Sequence, residues 1–260
     1  MSIWIILGLL FSGTVALMFL LWLWHIRVGN PAFVDVAWVF ATGISGIVLS
    51  LQADGEWKRR LIAALLAGIW SMRLGGYLTI RLMHNPVDQR YESMVSNWGK
   101  RAKLFMFGFF MIQAFLAVIY SLPILAGASG GDPFTVSGIL GVMVILGGMV
   151  GVSLSDIQLL TFKKNSDHTG SVCRLGLWSW SRHPNYFFEW IIWCGWALFS
   201  LGGCLWFFGV GGAFCMLLFL LKITGIPHVE REAIKKYGNI YQDYQKTTSM
   251  FIPIPPRKKY

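Results

Sequence analysis

Seven stretches of this chain are apolar over about the 20 residues a helix needs to cross the hydrocarbon layer of a bilayer. They run over residues 2–24, 32–52, 61–82, 103–126, 134–161, 185–201 and 204–222. A chain built this way is expected to be all-α, a polytopic membrane protein folded as a seven-transmembrane helix bundle. Composition agrees: of 260 residues 55% are hydrophobic and 13% charged, with 13 Trp and 19 Phe, far from the mixture of a soluble domain. The whole of 1–260 reads as a single integral membrane domain. Its first 24 residues have no basic n-region and no small-residue cleavage site, so a retained first span is expected rather than a removed signal peptide. The last two spans share the turn "LGGC" and form a helical hairpin. Gly147 and Gly151 in "GGMVG" are spaced for close helix packing. The four cysteines show neither CxxC nor a His at ligand spacing, which argues against a zinc site or a disulfide framework.

Charge gives the sidedness. With seven spans, four connections fall on one side of the membrane (25–31, 81–103, 162–184 and the tail from 222), and these hold 18 of the 22 Lys and Arg. The positive-inside rule makes that side cytoplasmic and the N-terminus external, as in a bacterial inner membrane. The net charge of +10 is then an orientation signal, and a nucleic-acid partner is disfavoured. No GxGxxG after a strand and no GxxxxGK[ST] occurs, so a bound nucleotide would not lie in a Rossmann or P-loop pocket.

Charged residues at membrane depth are costly and mark function. Here they are Asp35, Arg73, Asp156 and Glu189. Asp35 begins the second span; Arg73 lies midway along the third, with Trp70 and Tyr77 on its face. An Asp35–Arg73 ion pair that only joins helices is one reading. For Asp156, before Lys163 and Lys164, the alternative is a capping or snorkelling role. The stretch "LWSWSRHPNYFFEW" (177–190) is the most informative. Pro184 suits the first turn of a helix, so Arg182 and His183 flank its N-terminus, while Asn185, Tyr186 and Glu189 follow inside, Asn185 and Glu189 on one face. Free amides and a positive dipole end beside Arg and His suit an anion such as a phosphate, and the polar stripe can hydrogen-bond an amide or a ribose. The amphipathic tail adds Glu230, Arg231, Tyr237, Tyr241 and Tyr244; the tyrosines fall at i, i+4, i+7, which serves core packing or stacking on a nucleobase.

Through "SDIQLLTFK", "GLWSWSRHPNYFFEW" and "YGNIYQDYQKTTSMFIPIPP", and more loosely "VDVAW", "WSMRLGGYL" and "DQRYESM", the chain resembles the membrane steroid 5-alpha-reductases and related sterol delta-14 and delta-7 reductases, most closely their bacterial relatives. The strong part of the match covers roughly residues 150–257. The resemblance implies a seven-helix bundle with a cytoplasmic cavity for NADPH, residues 1–130 forming the substrate side and 131–260 the cofactor side. It assigns Asp156, Lys163, Arg174, Asn185 and Glu189 to the cofactor, with Arg231 and Tyr237 as tail contacts. The implied reaction is NADPH-dependent reduction of a carbon–carbon double bond in a steroid-like enone. The Gln-Glu pair that the family's human-type members carry in the second helix is missing; Asp35 stands there, and Trp70 at the loosely aligned third-helix position. Asp35 is the first candidate proton donor and Tyr77 the second, with Arg73 fixing Asp35 or facing a phosphate. "RHPxY" followed by paired acids also resembles isoprenylcysteine carboxyl methyltransferases and related phospholipid methyltransferases, which use S-adenosylmethionine. The cluster Lys163, Lys164, Arg174 and Arg182 suits a pyrophosphate and a 2'-phosphate better than a sulfonium cofactor. A non-enzymatic sterol- or lipid-binding protein is the third alternative.

Overall fold

The computed structural model describes residues 2–84, 89–164, 170–223 and 225–256, and every regular element among them is helical. The long helices are α1 (Ile3–Val28), α2 (Phe33–Gln52), α3 (Trp57–His84), α5 (Ala102–Ala128) and α6 (Val136–Lys164). A short amphipathic α4 (Gln89–Trp98) precedes α5, and α7 (Pro184–Ser200) and α8 (Trp206–Leu218) follow α6. The tail folds as α9 (Ile226–Tyr237) and α10 (Asn239–Thr247). The stretch "DQRYESM" opens at a position outside the described residues.

Local chemistry explains the boundaries. α1 stops at Gly29, whose φ of 82° is left-handed and whose N–H bonds the His25 carbonyl, the usual glycine stop. Asn30 Oδ1 accepts from the Ala32 amide and turns the chain into α2. Pro184 opens α7, and Gly202 (φ 85°) turns α7 into α8, giving the expected hairpin. Pro123 lies inside α5 and α8 packs closely on it: a Cβ on Gly212 would lie 2.3 Å from the Pro123 ring. α8 runs on as a π-helical turn, Phe219–Ile223.

Among the described residues six helical stretches are long and apolar enough to cross a membrane: α1, α2, α3, Tyr91–Ala128, α6 and Trp206–Tyr237. The chain is thus an all-helical membrane protein. The stretch expected as the sixth span, 185–201, forms α7; its 17 residues reach about 25 Å, short of a full hydrocarbon layer. What α7 lacks in length it makes up in fit against α6. A Cβ on Gly141 would lie 2.6 Å from the Phe199 backbone nitrogen, one on Gly148 2.7 Å from Ile192, and one on Gly195 2.8 Å from the Ile145 nitrogen. Gly147 faces open space, so the close-packing glycines are Gly141, Gly148 and Gly151, and the expectation for Gly147 is corrected by one position in the helix. The main core lies where α2, α3, α5, α6, α7 and α8 meet, around Trp70, Ile124, Ile145, Trp193, Trp196 and Phe199.

At the end opposite the basic connections, Arg59 is 2% exposed. Its guanidinium donates to the carbonyls of Gly127 at 2.7 Å, Asp132 at 3.1 Å and Phe199. A buried cation there satisfies the carbonyl ends of α5 and α7.

Candidate functional site

Three helices bring their few polar side chains to one place. Arg73 (α3) donates from Nη2 to Glu189 Oε2 (α7) at 2.8 Å, and its Nη1 lies 3.7 Å from Asp156 Oδ2 (α6). The second distance allows charge attraction but no hydrogen bond. Glu189 Oε1 accepts from the indole N–H groups of Trp70 at 2.8 Å and Trp193 at 3.4 Å. Asn185 Nδ2 donates to Asp156 Oδ1 at 3.4 Å, and Asn185 Oδ1 accepts from the Tyr186 amide. The side chains of Arg73, Glu189 and Asp156 are 14%, 12% and 8% exposed, so the charges interact in a poorly screened medium where a lost partner is costly. Arg73 Nε and Nη1 are buried and make no hydrogen bond. Arg73 therefore keeps hydrogen-bonding capacity beside two carboxylates and an amide.

Around this cluster stands a ring of larger polar groups. Tyr77, one turn beyond Arg73 on α3, lies within the electrostatic reach of Asp156, Arg81, Tyr186 and Arg73. Lys163, at the end of α6, lies within reach of Arg81 and of Lys236 on α9. Cations from three elements therefore lie within electrostatic reach of one another near the end of α6, a place that draws an anion.

The tail is latched to the start of α7. Arg182 donates from Nε to Glu230 Oε1 at 2.7 Å and from Nη1 to the carbonyls of Thr248 at 2.6 Å and Gln245 at 3.1 Å. His183 Nε2 lies 3.2 Å from Glu230 Oε1, and Tyr241 and Gln245 donate to the same carboxylate at 3.3 and 2.9 Å. The backbone joins in: Arg182 N–H bonds Ser249 O at 2.8 Å and Ile254 N–H bonds Trp180 O at 3.2 Å. The buried Tyr244 hydroxyl donates to the Trp178 carbonyl. His183 stacks on Tyr186 at 5.6 Å, ring to ring. Burial holds the His183 imidazole below the ordinary histidine value, with the Glu230 carboxylate opposing the shift.

Residues 21–248 match a family described as "Protein of unknown function (DUF1295)". The chain belongs to the DUF1295 family. No curated protein and no solved structure matched it.

In this DUF1295 chain the residues singled out by sequence fall into three groups. Arg73, Tyr77, Asp156, Asn185, Tyr186 and Glu189 converge on the membrane-depth cluster, with Lys163 further along α6 beside Arg81 and Lys236. Arg182, His183, Glu230 and Tyr241 converge on the latch and chiefly bind one another; Arg174 joins it from outside, donating to the Ile240 carbonyl at 3.1 Å and lying over the Tyr244 ring. Arg231 and Tyr237 are peripheral: Arg231 is exposed and bonds Pro227 O, and Tyr237 carries the Lys236 ammonium over its ring. Asp35 stands apart. Its carboxylate accepts the Tyr91 hydroxyl at 2.7 Å, and the Asp35–Arg73 ion pair is replaced by Arg73 with Glu189 and Asp156.

The structure adds residues that sequence reading passed over. Trp193, four residues after Glu189, holds its carboxylate. Trp38, one turn after Asp35, and Tyr120, the one tyrosine of α5, pack against the same group of rings. For Trp38 and Trp193 the spacing from Asp35 and Glu189 is the available signal, whereas α5 carries no acid to single out Tyr120; among 13 Trp and 19 Phe an aromatic residue draws no notice.

Proposed function

We propose that this DUF1295 protein is an NADPH-dependent reductase of a carbon–carbon double bond in an apolar, steroid-like enone, with its cofactor site on the cytoplasmic side of a bacterial inner membrane and α7 counted as a seventh span. The observation that carries the reading is the buried Arg73, which pairs with Glu189 and Asp156 and leaves Nε and Nη1 without a hydrogen bond, together with the cations Lys163, Arg81 and Lys236 near the end of α6. This donor and acceptor set fits the nucleotide. A carboxamide needs both a donor and an acceptor, which Asn185, Asp156 and Arg73 supply, and phosphates need cations such as those near the end of α6. When bound, NADPH supplies a hydride to the β carbon of the enone and leaves as NADP⁺. The protein's part is to orient the nucleotide, exclude water and deliver a proton to the α carbon, so that the product is the saturated ketone. Tyr77 is the acid in this reading: it stands beside the cluster, whereas the Asp35 carboxylate already accepts the Tyr91 hydroxyl.

The test is nucleotide binding to detergent-purified protein, comparing NADPH, NADH and S-adenosylmethionine. NADPH is expected to bind most tightly, and Lys163→Ala to weaken it by roughly tenfold, in keeping with the loss of a charged hydrogen bond. Binding of S-adenosylmethionine in place of NADPH would turn the assignment to a membrane methyltransferase; binding of neither would leave a lipid- or sterol-binding protein.

A further inference from the structure

Deeper in the bundle than the polar cluster, four aromatic side chains from four helices close a circuit. Trp38 (α2) meets Trp70 (α3) with ring centroids 6.4 Å apart, Trp70 meets Trp193 (α7) at 5.7 Å, Trp193 meets Tyr120 (α5) at 4.9 Å, and Tyr120 meets Trp38 at 5.7 Å. All four contacts are edge to face, the favoured arrangement of aromatic pairs. Phe219 lies against Tyr120 at 6.2 Å, and it opens the π-helical turn that ends α8, an irregularity common at functional sites.

The polar atoms of the circuit are of two kinds. Both indole N–H groups, of Trp70 and Trp193, are spent on Glu189. Trp38 Nε1 and the Tyr120 hydroxyl are buried and have no hydrogen-bond partner, Tyr120 being only 3% exposed. In a hydrocarbon layer, without water to take up the shortfall, such donors bear their full desolvation cost. Two such groups, on rings in contact with each other, point to a place for an acceptor.

We infer that Tyr120 and Trp38 form the binding site for the ketone oxygen of an apolar substrate, an inference that rests on the enone reading above and names the residues that hold its carbonyl end. The aromatic circuit suits a flat, non-polar ligand, and the two N–H and O–H groups can both donate to a carbonyl oxygen, which accepts two hydrogen bonds. Glu189 links this site to the nucleotide cluster, since one carboxylate orders two of the four rings and also pairs with Arg73. Hydrogen bonds to a carbonyl strengthen as enolate charge develops, so the same donors lower the barrier to hydride addition.

The test uses full-length protein in nanodiscs and two probes, a radiolabelled 3-oxo-4-ene steroid and the analogue lacking the 3-oxygen, with NADPH binding measured on the same samples. Wild type is expected to bind the ketone about tenfold more tightly than the deoxy analogue, the scale of one or two neutral hydrogen bonds. Tyr120→Phe should bring the two affinities within about twofold of each other without weakening the deoxy analogue, and Trp38→Phe should reduce the preference in part. A wild type without ketone preference, or a Tyr120→Phe protein that keeps it, overturns the assignment while NADPH binding leaves the reductase reading intact. A protein that shows the Tyr120-dependent preference but no NADPH binding keeps this site and loses the reductase. Should Tyr120→Phe not fold, an undiminished preference in Trp38→Phe overturns the paired site.

Discussion

Tyr77 and Asp35 divide the catalytic question at the level of single side chains. Tyr77 stands within reach of Asp156, Tyr186 and Arg73, whereas Asp35 is engaged by Tyr91 at 2.7 Å. Tyr77→Phe, which removes one oxygen, should cut enone turnover by about a hundredfold or more, the range for a lost general acid, and leave NADPH affinity unchanged. Asp35→Asn should keep most turnover and instead lower thermal stability, by about 1.5–3 kcal/mol for a hydrogen bond to a charged group. Steady-state kinetics beside melting curves of the two variants separate these outcomes; a dead Asp35→Asn with normal stability would return the acid to Asp35. Each of the four charges in the apolar runs was legible in the sequence, because each is an anomaly against its neighbours. Their pairing was not. Whether Arg73 meets Asp35 or Glu189 depends on which helices lie side by side and how each is rotated, and hydropathy holds neither quantity.

Helix packing shows where such reading stops. α6 is apolar around its whole circumference, so no stripe betrays the face it turns inward, and the glycines at 147, 148 and 151 look alike. In the structure Gly141, Gly148 and Gly151 let α7 come close, while Gly147 has nothing within 4 Å. Gly141→Ala would set a methyl 2.6 Å from the Phe199 nitrogen, which no rotamer change relieves. It should cost about 1–3 kcal/mol and, by shifting α7, loosen Glu189 and Asn185 and weaken NADPH binding. Gly147→Ala should be neutral or gain about 0.5–1 kcal/mol. Thermal melts in detergent with parallel nucleotide titrations check both, and a Gly147→Ala protein less stable than Gly141→Ala would reverse the assigned face. The turns were more legible: Pro184 opens α7 and the "LGGC" glycines close it, since proline and glycine act through backbone angles that need no partner.

For the molecule as a whole, the latch ties the tail to the bundle and makes the tie sensitive to acid. His183 is buried between Arg182, Glu230 and the Tyr186 ring, and burial lowers its proton affinity in the fold. The unfolded chain, with an ordinary histidine value of about 6.5, takes the proton first. Stability is therefore fully present above that value and is lost as pH falls below it. The melting temperature should fall between pH 7 and pH 5.5, and the fall should shrink in His183→Gln; an equal slope in both proteins would place the acid sensitivity elsewhere. Sequence reading took the same Arg and His for anion ligands, because it found the helix N-terminus correctly but had no sign that the tail, nearly 50 residues on, supplies Glu230 as the anion. The far end of the bundle carries a different consequence, one of order in time. The carbonyls that satisfy Arg59 come from residues 68, 73 and 140 positions later in the chain. A nascent chain can offer that guanidinium two of its three carbonyls once α5 and the turn after it are made, and the set is complete only when the end of α7 arrives. Ribosome-arrested chains of increasing length should show protease protection around Arg59 rising late, once residue 200 has emerged, and not when α3 itself does.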